Sequence, residues 1–88
     1  MNAVTKEPTR YVETAVEDET LLMVLDTGDF FTLRDTARAV WNTIDGTRDR
    51  NAIVAALADQ YAVPEQDIAT EIDAFLAELT EVGLVRRA

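Results

Sequence analysis

Residues 25–46, LDTGDFFTLRDTARAVWNTIDG, decide the fold of this chain. Asp26, Thr27, Gly28 and Asp29 carry turn chemistry, with Gly28 free to take a positive φ. Phe30, Phe31, Thr32 and Leu33 then pair back as a short aromatic strand that runs almost at once into a helix. In that helix Ala37, Val40, Trp41 and Ile44 fall at i, i+3, i+4 and i+7, the spacing of one buried face. Asp35 or Thr36 is the expected cap and Gly46 the expected stop. A brief aromatic strand at the end of a small sheet, beside helices and without catalytic side chains, is a surface suited to accepting a peptide. The class expected is a binding module, not an enzyme.

Upstream, residues 20–25 (TLLMVL) form a continuous apolar run of strand length. Such a run has both faces covered, or one face against a helix. Before it, Tyr11, Val12, Thr14 and Val16 alternate weakly as a first strand, and Glu17, Asp18 and Glu19 make a polar turn. Residues 1–10 contain Pro8 and no periodicity, and are expected as a flexible arm outside a single domain at 11–85.

Downstream, Asp49 is the expected cap of a second helix in which Ile53, Leu57 and Tyr61 repeat every fourth residue. Pro64, with Glu65 and Asp67 beside it, marks the start of a third helix. Ile68, Ile72, Phe75, Leu76, Leu79 and Val82 give that helix the widest apolar face, and Gly83 ends it. Trp41 and Tyr61 are assigned to the core. Leu84 and Val85 should fold back onto it, leaving Arg86, Arg87 and Ala88 outside. The fold class expected is α+β, winged-helix-turn-helix-like: a three-stranded antiparallel sheet followed by three helices.

Composition narrows the function. Eighty-eight residues, 48% of them hydrophobic, make one domain with one modest core. The chain has no cysteine and no histidine, which removes disulfides, thiol nucleophiles, Cys/His metal sites and histidine acid–base chemistry. No cofactor or metal is expected, since no acidic spacing resembles a Ca²⁺ loop. No signal peptide or membrane-spanning run is present, so a cytoplasmic location is expected and no membrane partner.

The net charge of −9 disfavours nucleic acid. Arg34, Arg38, Arg48 and Arg50 cluster in sequence but read as a solvated face. The third helix, the recognition helix of a winged-helix regulator, carries Glu65, Asp67, Glu71, Asp73, Glu78 and Glu81 with no Lys or Arg. A winged-helix regulator remains one alternative. An acidic adaptor docking on a basic protein is another, and strong salt dependence of its binding would mark it.

Residues 11–85 resemble a PqqD-type domain, the precursor-recognition element of peptide-modifying pathways. The resemblance is carried by ETLLMVLDTGDFFTL, ARAVWNTIDG, AIVAALADQYAVPEQ and IDAFLAELTEVGLV, in that order and spacing. The chain departs from the family's pattern at Arg34, where Asn is common, at Ala37, where Gly is frequent, and at Asp49, where Thr or Ser caps.

The resemblance implies a leader-peptide chaperone. Such a domain binds the leader of a ribosomally made precursor as an added strand. It then presents that leader to a modifying enzyme, such as a radical-SAM protein in pyrroloquinoline quinone synthesis or a leader peptidase in lasso-peptide pathways. Elementary physics agrees, because an edge strand offers unpaired N–H and C=O groups that an extended peptide can satisfy. The implied site is Phe30, Phe31, Thr32 and Leu33 on the strand, with Ile68, Glu71, Ile72 and Phe75 on the third helix. Alternation requires that one of Phe30 and Phe31 face the core. Glu71, with Asp67, would favour a leader bearing Lys or Arg. The same open edge also offers itself to a second copy, giving a homodimer that competes with the leader.

Overall fold

The computed structural model describes residues 3–87. The order is β1 (Val4–Lys6), a 3-10 turn (Pro8–Arg10), β2 (Tyr11–Val16), β3 (Glu19–Val24), β4 (Phe30–Leu33), α1 (Asp35–Thr43), α2 (Arg50–Tyr61), α3 (Glu65–Glu81) and β5 (Val85–Arg87). The antiparallel sheet β2–β3–β4 followed by three helices is the α+β arrangement expected from the sequence. The third strand of that reading is β4.

β3 and β4 alternate as a sheet covered on one face should, whereas β2 is exposed along most of its length. Thr20, Leu22 and Val24 of β3 are buried, whereas Glu19, Leu21 and Met23 on the other face are half-buried. Gly28 turns β3 into β4 with φ +76°, in the left-handed region that suits a residue without Cβ. The buried face packs into one core with Val40, Trp41 and Ile44 of the α1 segment, Ile53, Val54 and Leu57 of α2, and Ile68, Ile72, Leu76 and Leu79 of α3. Ala37 is half-buried at the margin of that core.

Helix ends follow local chemistry in two cases out of three. The Asp49 carboxylate caps α2 by accepting from the Ala52 N–H at 2.9 Å. Pro64 precedes α3 in extended conformation, and its carbonyl accepts from the Asp67 N–H. The expected cap of α1 by Asp35 or Thr36 is not formed. Arg34 occupies that position without a side-chain cap, and Asp35 takes φ +49° at the strand-to-helix corner. The corner is fastened instead by an ion pair between Arg34 and Glu19, and by Arg38 Nε donating to Thr20 Oγ1 at 3.2 Å.

The expected flexible arm is corrected by the structure over residues 3–10, residues 1 and 2 lying outside those described. Val4–Lys6 pairs antiparallel with Val85–Arg87, joining Val4 to Arg87 and Lys6 to Val85, and Val4 is fully buried. The second, two-stranded sheet therefore extends the folded unit beyond 11–85 at both ends. Leu84 and Val85 are buried as expected, while Arg86 and Arg87 keep exposed side chains on a paired backbone. Gly83, just past α3, has φ +81°, and a Cβ there would lie 2.8 Å from the Arg10 guanidinium.

Tyr61 is a second correction. It sits at the last residue of α2 and is 42% exposed, because the core contacts of that helix end at Leu57 and Ala58. Trp41 is fully buried, as assigned.

Candidate functional site

The site begins with the pattern of backbone hydrogen bonds in the sheet. β3 is the central strand, so among the described residues β4 has a partner on one side only. The Val24 N–H donates toward β4, to the Asp29 carbonyl at 2.8 Å, and the Leu25 N–H donates the other way, to the Arg10 carbonyl at 3.0 Å. Antiparallel ladders alternate. Leu22 and Thr20 therefore bond to β4, where they face Phe31 and Leu33, while Met23 and Leu21 face Phe30 and Thr32 across non-bonded positions. The N–H and C=O groups of Phe30 and Thr32 point away from β3, to the open edge.

Side chains divide the same four residues by face. Leu33 is buried and Phe31 is half-buried against the core, whereas Phe30 is 68% exposed and Thr32 is exposed on the outer face. The alternation thus selects Phe31 as the inward phenylalanine. On α3, Ile68 and Ile72 are buried core residues, Phe75 is half-buried against them, and Glu71 is exposed at the border of their stripe. One cluster therefore brings together Leu33, Ile68 and Ile72, with Phe31 and Phe75 at its margin. Phe30 lies apart from it. Asp67 is exposed in the first turn of α3.

The other edge strand, β2, is engaged with α1 through Trp41. Tyr11 and Glu13 have backbone groups directed away from β3 by the same alternation, but their side chains meet Trp41. Trp41 Nε1 donates to Glu13 Oε1 at 3.0 Å, and the Tyr11 ring stands edge-on to the indole, with centroids 5.1 Å apart. Lys6 of β1 places its Nζ 4.3 Å from the centre of the indole ring. Burial pushes the Lys6 ammonium below its ordinary pKa, opposed by the negative charges of Glu13 and Asp45. Burial also raises the Tyr11 phenol, and Glu13 adds to that rise. Lys6 lies in the stretch that the sequence marks as an arm, so sequence reasoning misses this group. Val4–Lys6 and its partner Val85–Arg87 are three residues each, too short to show a period, so no local signal marks their pairing.

The cationic residues are mostly bound to the domain's own acceptors. Arg50 grips Asp73 through Nε and Nη2, each at 2.7 Å, lowering the Asp73 carboxyl below the usual carboxylate range. Arg48 holds Asp45 at 2.9 Å, and Asp45 is lowered chiefly by its hydrogen bonds from Thr47. The expected solvated arginine face is therefore a set of partly exposed internal links. Among the described residues no group of three or more His, Cys, Asp or Glu is arranged to hold a metal ion. No described helix is long and apolar enough to cross a membrane.

A three-stranded antiparallel sheet packed on three helices, with β4 at one edge, defines a small α+β domain. Its family follows from the sequence match. The chain belongs to the PqqD family, described as coenzyme PQQ synthesis protein D, which matches residues 19–85, from the start of β3 to the start of β5. The solved structure of TbiB1 in complex with the TbiA(beta) leader peptide has the same fold, with a TM-score of 0.79 and 23% sequence identity. The likeness covers 93% of this chain and 94% of that one, so it takes in β2, which lies outside the family match. Comparison with curated proteins finds no match.

Proposed function

We propose that this chain is a non-catalytic peptide chaperone that binds the leader of a ribosomally made precursor along β4 and presents it to a maturation enzyme. The observation that carries this reading is the open β4 edge, where Phe30 and Thr32 direct unpaired backbone groups outward. An extended peptide paired there gains backbone hydrogen bonds with little sequence demand. Phe31 and Phe75, half-buried at the margin of the core, would supply the apolar contacts, and Leu33, Ile68 and Ile72 would support them from behind. Glu71, with Asp67, would favour a leader bearing Lys or Arg. Membership of the PqqD family supports the reading, as does the leader peptide bound to TbiB1.

The partner enzyme would be a radical-SAM protein or a leader peptidase, working with this domain in the cytoplasm. Nucleic acid is disfavoured by the acidic face of α3 and by the engagement of Arg34, Arg48 and Arg50 with carboxylates of the chain.

The test is fluorescence anisotropy of the purified chain against labelled N-terminal peptides from the short reading frames beside its gene. Saturable binding to one of them, lost on blocking the β4 edge, is the expected result. Failure of a folded, monomeric sample to bind any of them would overturn the reading. If the chain also dimerises through β4, the two compete for one edge, and sedimentation will show a dimer that added peptide dissociates.

A further inference from the structure

The core uses only one face of the sheet. On the opposite face the register aligns Val12, Met23 and Phe30 in one row and Thr14, Leu21 and Thr32 in the next, with Val16 beyond them on β2. Val12 is 47% exposed and Val16 46%, and together with Phe30 they surround the half-buried Leu21 and Met23. Val12, Thr14, Leu21, Met23 and Phe30 line a shallow cavity of about 170 Å³. The continuous run TLLMVL is thereby explained only in part: Leu22 and Val24 serve the core, and Leu21 and Met23 serve this face. Clustered apolar side chains on a single surface, rather than scattered ones, mark an interaction site.

The ends of the patch are acidic. Glu17 and Asp18 lie in the β2–β3 turn and Asp29 in the β3–β4 turn, and none of the three has an ion-pair partner among the described residues. Asp26 is already held by Arg10 at 2.8 Å. Two copies meeting through this face would bring like charges together in a chain that already carries −9. The complementary occupant is a different protein with an apolar surface flanked by Lys and Arg.

We propose that this face docks the maturation enzyme, through an apolar, basic-rimmed surface on that enzyme. The inference rests on the peptide-binding reading and deepens it. A peptide strand added along β4 prolongs the same sheet, so its outward side chains extend the row of Val12, Met23 and Phe30. The enzyme would meet domain and peptide as one continuous surface, and would bind the loaded domain more tightly than the empty one.

The experiment uses the full chain, each purified candidate peptide-modifying enzyme from the genes beside its own, and the peptide found by anisotropy. Val12→Glu and Met23→Glu lie on β2 and β3, away from the β4 edge. Both variants should melt as folded proteins and keep peptide affinity within about twofold, yet lose enzyme affinity about tenfold or more. Raising NaCl from about 50 mM to about 500 mM should weaken wild-type docking. Unchanged enzyme affinity in both variants overturns the inference, as does a wild-type chain that ignores every candidate enzyme at saturating peptide. A wild-type dimer that Val12→Glu converts to monomer also overturns it, since a second copy would then cover the face. Failure of the wild type to bind any peptide strikes the peptide reading alone. Enzyme binding by the wild type and not by the variants would still uphold the docking face.

Discussion

Leu21 and Thr32 face each other across the β3–β4 ladder at a non-hydrogen-bonded position, one step from the bonded pair of Leu22 and Phe31. This single step separates backbone groups that hold the domain together from those open to a partner. Proline has no N–H, so it distinguishes them. Thr32→Pro removes an outward donor and should leave the melting temperature nearly unchanged while abolishing peptide binding. Phe31→Pro removes an inward donor, leaves the facing carbonyl of β3 unsatisfied, and should destabilise the fold by about 1–3 kcal/mol. Normal peptide binding by a folded Thr32→Pro protein would place the peptide elsewhere.

Glu71 is exposed on α3 beside buried Ile72. Reversing its charge in Glu71→Lys should cost about 1 kcal/mol of affinity for a leader bearing Lys or Arg, or about fivefold in Kd. The melting temperature should stay within a degree or so, because surface substitutions of this kind change stability little. Anisotropy titrations at low and high salt check it. Equal affinity at low salt would remove Glu71 from the site.

How much of this was legible in the sequence depends on which forces act locally. The order of β2–β3–β4 and three helices could be read because turns at Gly28, caps at Asp49 and Pro64, and apolar spacing are all short-range signals. The pairing of Val4–Lys6 with Val85–Arg87 could not, since it joins the two ends of the chain and neither segment is long enough to show a period. Tyr61 fitted its helical repeat, yet the repeat continues one turn past the last core contact. At the candidate site, alternation required one inward phenylalanine, but only the register with β3 selects Phe31. The outer patch was hidden inside TLLMVL, where core and surface residues are equally apolar.

Val4 tests whether the N-terminal strand is part of the folded unit. Val4→Ala deletes buried methyl groups between β5 and the core, and should destabilise by about 2 kcal/mol. Chemical denaturation should show a lower midpoint with an unchanged slope. A value near zero would mean that β1 contributes little and that the compact domain begins at β2.

The Asp49 cap makes a sharper energetic statement. Asp49→Ala strips the acceptor from the Ala52 N–H at the start of α2, at a cost of about 1 kcal/mol. For a domain of this size the melting temperature should fall by about 4–8 °C. Asp49→Ser keeps an acceptor and should recover most of that loss. If Ser and Ala behave alike, the cap is not what anchors the helix.

The Arg50–Asp73 link between α2 and α3 gives the domain a defined response to acid. Because Arg50 lowers the Asp73 carboxyl, the folded state holds that proton less tightly than the unfolded chain does. The contribution is complete above the unfolded carboxylate value of about 3.9 and is lost as pH falls through the lowered folded value. Asp73→Asn lacks this titration. The gap in melting temperature between wild type and Asp73→Asn should therefore be constant near neutrality and shrink below about pH 4. Asp45, lowered by Thr47 and Arg48, titrates in the same window, so Asp45→Asn is the necessary second baseline. Thermal melts from about pH 6 down to about pH 2 make the comparison. A gap that stays constant throughout would mean that the link between the two helices does not depend on the charge of Asp73.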